Sequence, residues 1–414
     1  MSKNNVHQRF GRRRDRTVPR FLSAVGPGDV VSAHDDWVQN IRTLSETSIT
    51  FSSQEFEAFA AMRAVFWAVS THPRKAFKSA GENRIENRPR HGKQPKSGLA
   101  YYIGQARYAA SLLRSAVQFR ATHLIIDSGT TSWFMLVGFA MFRIKVIPNF
   151  HNVMWPAGHP PTRLVHRLVL KLDGLFLRSS VRFALGVSPE CGRQLAQIAG
   201  AQIVYFDYRA QFVGEEFHTL PPPRAGTPMT ILFAGRLEAN KGVFDLLEIC
   251  ERLNAREPGR FVFEVCGGGA AMDGLQAAVE RVGAAERFRL RGKLARPELL
   301  EIYGKSHLVI VPTTSDFCEG LPQVCAEAVL AGRPVITSRV SNALEALQGA
   351  VVEVREDDIE DYVQKILAVA SDPTGYKALV ANTGRVQDQF MDRSRGLAAA
   401  ITRCLEASVS DCPR

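Results

Sequence analysis

The sequence predicts an α/β protein of two doubly wound domains, each a parallel sheet covered by helices on both faces. Three observations carry this. The chain has 414 residues, 45% hydrophobic and 22% charged, an ordinary globular composition long enough for two domains. Short continuous apolar runs, such as Leu308-Val309-Ile310-Val311, alternate with segments of helical length, as expected of strands buried on both faces. Residues 219–228 read Thr-Leu-Pro-Pro-Pro-Arg-Ala-Gly-Thr-Pro, a linker that resists folding into either neighbour.

Taken in order, residues 1–19 are polar and basic with few apolar anchors, and are expected to be a disordered tail. Phe21 to Val25 reads as a first strand ending at Gly26-Pro27-Gly28. Ser48 to Ser52 reads as a second strand, with an apolar helix from Phe56 to Val69 behind it. Residues 71–97 are expected to form a charged loop. A helix at 99–119 precedes the strand Thr122–Asp127, a helix at 131–143 follows, and then a strand from Lys145 to His151. Pro148 inside that strand is unfavourable for a central position. His159 and His166 read as surface loop and helix residues. Phe183 to Val187 is a strand, followed by a helix that Ser188 caps, with Pro189 at its first position and Gly200 at its end.

Beyond the linker six strands are expected: Thr230–Ala234, Phe261–Cys266, Phe288–Leu290, Leu308–Val311, Pro334–Thr337 and Val351–Val354. The domains are thus about 20–218 and 229–372, with a helical segment at 373–414.

The chemistry concentrates on Asp316-Phe317-Cys318-Glu319-Gly320-Leu321-Pro322-Gln323-Val324-Cys325-Ala326-Glu327. It follows a strand and opens a helix expected from Leu321 to Ala331, stopped by Gly332 and Pro334. Pro322 suits the first turn. Glu319 lies in the loop and Glu327 on the helix. Ligands of open α/β sheets bind beyond the carboxyl ends of strands. Gly320 permits close backbone approach, and helix-start N–H groups attract anions.

The Glu-Gly-Leu-Pro run with Glu327 resembles the Glu-x7-Glu signature of family 4 glycosyltransferases. The resemblance implies the two-domain GT-B fold, with a C-terminal helix crossing back to the first domain. It also implies that Glu319 contacts the donor sugar and Glu327 the nucleotide ribose. Gly235-Arg236-Leu237-Glu238-Ala239-Asn240-Lys241-Gly242 resembles that family's Gly-Arg-Leu-x-x-x-Lys-Gly loop, which assigns the donor diphosphate to Arg236 and Lys241. Such cations lower the barrier where a leaving group gains charge. The resemblance also places Gly267, of Cys266-Gly267-Gly268-Gly269, on the nucleotide side, with Gly320, Leu321 and Pro322 along the donor. Arg291-Gly292-Lys293-Leu294 would frame the base, and His151 would hydrogen-bond near the transferred sugar. Two departures stand out: no acid among the glycines after Cys266, and no Gly-Gly pair in Ser338-Arg339-Val340-Ser341-Asn342-Ala343-Leu344-Glu345.

The net charge of +11 is uneven. Residues 1–20 hold seven Lys/Arg against Asp15, and residues 74–96 hold eight against Glu82 and Glu86. A basic tail suits an anionic membrane surface. Seven scattered cysteines show no zinc or redox spacing and read as reduced thiols in a cytoplasmic protein. There is no signal peptide pattern, and the longest apolar stretch, Trp133 to Phe142, has ten residues, short of the ~20 a span needs. No Asp-x-Asp metal motif occurs, and GT-B enzymes generally need no metal.

The expected activity is transfer of a sugar from a nucleoside-diphosphate sugar, UDP- or GDP-linked, to an acceptor hydroxyl on a saccharide or lipid. The resemblance implies retained anomeric configuration. It points to cell-surface polysaccharide or glycolipid synthesis, without cofactor. Two rivals remain: a GT-B nucleotide-sugar epimerase, and a basic nucleic-acid-binding protein. Against the second, the basic residues sit in tails and loops with little aromatic interleaving.

Overall fold

The computed structural model describes residues 18–41, 47–90, 98–217 and 228–410. The expected tail, up to residue 17, and all of the expected linker except residue 228 lie outside them. The N-terminal half runs β1 (Arg20–Ala24), α1 (Val30–Val38), β2 (Ser48–Ile49), α2 (Phe51–Ala61), β3 (Val65–Ser70), β4 (Ala76–Ala80), β5 (Asn83–Asn87) and α3 (Gly98–Phe119). It continues with β6 (His123–Asp127), α4 (Val137–Met141), β7 (Lys145–Phe150), α5 (Leu164–Ser180), β8 (Phe183–Gly186), α6 (Pro189–Ala199), β9 (Val204–Asp207) and β10 (Gln211–Phe212). Eight of these strands form one sheet in the order β4-β5-β3-β1-β6-β7-β8-β9. Every described pairing in it is parallel except β4 with β5. Helices α1 and α2 pack together on one face, and α3 to α6 pack in succession on the other.

The second half comprises β11 (Met229–Ala234), α7 (Val243–Arg256), β12 (Phe261–Cys266), α8 (Met272–Arg281), β13 (Phe288–Gly292), α9 (Arg296–Lys305) and β14 (Leu308–Val311). Then come α10 (Gln323–Leu330), β15 (Val335–Ser338), β16 (Val351–Val354), α11 (Ile359–Ser371), α12 (Pro373–Val386), α13 (Asp388–Met391) and α14 (Leu397–Ser410). The sheet order is β13-β12-β11-β14-β15-β16, all parallel. The six expected strands are present and doubly wound. The last helix, α14, packs on α2, β8 and β9 and buries Leu397, Ala400, Ile401, Cys404 and Leu405 in the first core. Gln54 of α2 anchors its start, its Oε1 accepting from Leu397 N at 2.9 Å.

Several expectations for the first half are corrected. The single helix from Phe56 to Val69 is instead α2 and β3, separated by a turn with Arg63 at φ 54°. The run Val-Phe-Trp-Ala-Val is aromatic and β-branched, which suits a strand. Ser48–Ser52 supplies only two strand residues, paired antiparallel with β10 outside the main sheet. Thr50 then caps α2 by accepting from Ser53 N. The charged loop at 71–97 contains, up to residue 90, the hairpin β4–β5. Its register on β3 buries Ile85 while Arg84 and Arg88 lie over the Trp67 ring at 5.0 and 5.6 Å. The helix at 131–143 is a 3₁₀ turn, Trp133–Leu136, running into α4.

Ser188 does not cap α6 with its side chain; its hydroxyl lies 3.3 Å from Cys191 Sγ. Pro148 is tolerated at the point where β8 only begins to pair with β7, from Asn149 onward.

Candidate functional site

In the second sheet the connections leave β11 on one side toward β12 and on the other toward β14, so the loops after β11 and β14 part at this switch point. A crevice there is the expected ligand site of an open sheet. The loop after β11 carries Arg236 and Lys241, and the loop after β14 carries Phe317 to Pro322. Thr314 fastens one to the other, its N and Oγ1 donating to Asn240 O at 3.2 and 3.1 Å. Gly242 closes the first loop at φ 70°, where a Cβ would meet Pro312 O at 2.0 Å. Only glycine fits that approach.

Lys241 Nζ forms an ion pair with the Glu319 carboxylate, both largely buried. The ammonium also stands 4.3 Å from the centre of the Phe317 ring, a cation–π distance. Arg236 behaves differently. It is 61% exposed, pairs with Glu238 at 2.8 Å, and stands at the rim, its guanidinium 6.0 Å from the Phe317 ring centre. Asn342 Nδ2 donates to Glu319 O at 2.6 Å, and Asn342 itself holds a left-handed conformation at φ 57°. Asparagine tolerates that region, so it supplies a turn where the expected glycine pair is missing. The sequence signal was an Asn in a polar loop, too common to single out.

Helix α10 starts at Gln323 rather than Leu321, with Pro322 extended at the cap position. Glu327 is buried inside it. Tyr303 OH donates to its Oε2 at 2.7 Å, and Thr47 Oγ1 from the first half donates to its Oε1. Leu321 packs in the core. Gly267 lies against Gly235 O, the two loops touching backbone to backbone. Arg291 is bound to Glu264 at 2.6 Å, which ties it to β12.

Gly320 is not approached by open space. A Cβ there would lie 1.9 Å from His151 O and 2.7 Å from Val187 Cγ2. The expected opening to a ligand is instead the contact where the two halves meet. That contact brings His151 next to the Glu319 loop. The His151 ring is held at both nitrogens and on one face: Nε2 lies 2.9 Å from Asp127 Oδ1 and 3.0 Å from Asn149 Nδ2. Its Nδ1 lies 3.2 Å from Tyr208 OH, and Phe51 packs on it at 4.8 Å. Asp127 and His151 line a cavity of about 850 Å³ with Gly26, Gly28, Phe51 and Gln323.

Behind this cluster sits a residue the sequence did not reveal. Glu55, on α2, is fully buried and accepts from Ser23 Oγ at 2.5 Å. Burial first, and the Asp127 charge second, push its pKa up to about 8. A second cavity, of about 1050 Å³, is lined by Tyr101, Tyr102, Arg163, His166, Asp316 and Cys318 among others. Burial raises the Asp173 carboxyl at its wall to about 6. Burial likewise raises the Cys318 thiol to about 11, so it is unreactive near neutrality. Among the described residues no group of His, Cys, Asp and Glu is arranged to hold a metal ion, and no helix is long and apolar enough to cross a membrane.

The whole chain matches solved structures of the GT-B fold at low identity. Trehalose 6-phosphate synthase from Burkholderia multivorans aligns with TM-score 0.70 and 13% identity, covering 96% of this chain and all of that one. Sucrose-phosphate synthase from Thermosynechococcus elongatus aligns with TM-score 0.67 and 15% identity, covering 95% and 99%. Among curated proteins, glycogen synthase of Mycobacterium tuberculosis is 33% identical over 155 residues, 36% of each chain. D-inositol 3-phosphate glycosyltransferase of Segniliparus rotundus is 28% identical over 164 residues, 37% of this chain and 36% of that protein. The matches thus span about a third of the length of these relatives. The family model for glycosyl transferases group 1 matches residues 218–385. Residues 218–385 thus resemble the glycosyl transferases group 1 domain, within a chain whose fold is GT-B.

Proposed function

We propose that this chain transfers a sugar from a nucleoside-diphosphate sugar to an acceptor hydroxyl, with retention of configuration. The observation that carries this reading is the convergence of Lys241 and Glu319 at the switch point, inside the segment that matches the family. Lys241 and Arg236 would take the donor diphosphate. The diphosphate competes with Glu319 for the ammonium, and capture of Lys241 frees the Glu319 carboxylate to accept from the sugar hydroxyls. Glu327, held by Tyr303 and Thr47, would accept from the ribose. Gly267 and Pro322 would flank the donor, while Gly320 and Leu321, packed against the first half and the core, would hold the Glu319 loop in place. His151, fixed by Asp127, Asn149 and Tyr208, would meet the transferred sugar from the other side, where the first half binds the acceptor. The reading places the enzyme in polysaccharide or glycolipid synthesis and gives no metal a role, so turnover should survive EDTA. A metal-restorable loss would overturn that part.

Ligands that bind only the folded state raise apparent stability, by about 2.7 kcal/mol at a hundredfold excess over Kd. Melting curves against a panel of UDP- and GDP-sugars test the proposal. Stabilisation by one nucleotide class, abolished in Lys241→Ala, is expected; no shift with any member contradicts it.

A further inference from the structure

Helices α3, α4 and α5 pack side by side on the outer face of the first sheet, and each turns apolar side chains to solvent. On α5 the series Leu164, Leu168, Leu172 and Leu175 recurs at helical spacing, with Leu164 79% and Leu168 58% exposed. Met141 at the end of α4 is 78% exposed, with Val137 and Phe142 beside it. Leu99 and Ile103 are exposed at the start of α3. A surface of this kind marks an interaction site.

Its charge selects the partner. Residues 98–180 contain nine Lys/Arg and only two acids, Asp127 and Asp173, and both acids are buried. Arg107, Arg114, Arg143, Arg163, Arg167 and Lys171 are exposed. Among the described residues none of them forms an ion pair. The face therefore offers exposed leucines between unpaired cations, with no exposed acid in residues 98–180 and Asp316 only at the rim of the neighbouring cavity. A second copy of the chain would present the same sign and be repelled. An anionic bilayer is complementary to both features: apolar side chains enter the headgroup boundary while Arg and Lys meet the lipid phosphates.

We propose that the α3–α4–α5 face docks on an anionic lipid surface. The starts of α3 and α5 also line the 1050 Å³ cavity, through Tyr101, Tyr102, Arg163 and His166. A docked face brings that cavity to the bilayer surface. Entry of a lipid-borne acceptor through it would rest on the transferase reading; the docking itself does not.

The test is co-sedimentation of the full chain with vesicles of phosphatidylcholine alone or mixed with phosphatidylglycerol, with light scattering on the same samples. The wild type should pellet with the mixed vesicles only. Leu164→Glu with Leu168→Glu should abolish pelleting. Arg167→Gln and Lys171→Gln, at exposed positions that leave the fold intact, should each weaken it roughly fivefold. Failure of the wild type to bind, or retention of binding in the leucine pair, would overturn the proposal. A wild-type dimer that the leucine pair converts to monomer, without vesicle binding, would show that the face joins two copies and would overturn it as well.

Discussion

At the residue scale, the unequal burial of the two cations predicts unequal consequences. Lys241 is enclosed by Glu319 and Phe317, whereas Arg236 stands at the rim. A diphosphate leaving group gains charge as the bond breaks, so under the proposed transfer both should matter in turnover. Loss of one preorganised group costs about 10²–10³ in rate. Lys241→Ala should fall at the upper end and Arg236→Ala at the lower, in steady-state kinetics with the nucleotide sugar that stabilises the fold. Arg236→Lys should not restore full activity, because a point ammonium does not replace a planar fork. Near-normal turnover in both alanine variants would remove the donor site from this loop.

Glu55 gives a prediction with a sign. Its folded pKa is raised to about 8 from the ordinary 4.5, so between those values the folded state holds a proton that the unfolded state releases. Stability then falls as pH rises through that window and has fully lost this contribution above it. The melting temperature of the wild type should decline from pH 5 to 8, in keeping with that window, and Glu55→Gln should flatten the decline. An identical pH profile in the two proteins would show that the carboxyl is ionised in the fold.

At the scale of elements, the loop between β14 and α10 is shaped by one close approach. Gly320→Ala places a methyl group against His151 O and Val187 Cγ2, both on the other half. Overpacking of this kind typically costs about 1–3 kcal/mol, and here it also pushes the Glu319 loop off its partner. Thermal melting and transfer rate should both drop. Gly268→Ala is the control, since nothing lies within 4 Å of its added Cβ; equal effects in the two would deny the contact its role.

The same scale shows what the sequence made legible. The strands of the second sheet were readable because both faces are covered and each run is continuously apolar. β4 and β5 were not, because they bury little beyond Ile85 and Asn87, and the guanidinium groups of Arg84 and Arg88 lie over Trp67, so their pattern reads as charge. The boundary between α2 and β3 contains neither Gly nor Pro. The Glu319 and Lys241 motifs were visible in local order. Thr47, Asn342 and Glu55 were not, because each acts on a residue far away in the chain.

For the whole molecule, the two halves are fastened by α14, by the Thr47–Glu327 bond and by the Gly320–His151 contact. The catalytic reading needs this arrangement, since the donor groups belong to one half and His151 to the other. Its central claim is that Glu319 acts on the sugar rather than on the nucleotide. The most direct measurement compares Glu319→Gln with wild type for transfer rate and, by titration calorimetry, for affinity toward the free nucleoside diphosphate. The account predicts transfer reduced by at least about 10², with nucleotide affinity kept or increased because Lys241 is released from its carboxylate partner. Wild-type turnover in Glu319→Gln, or loss of nucleotide binding equal to the loss of transfer, would contradict it.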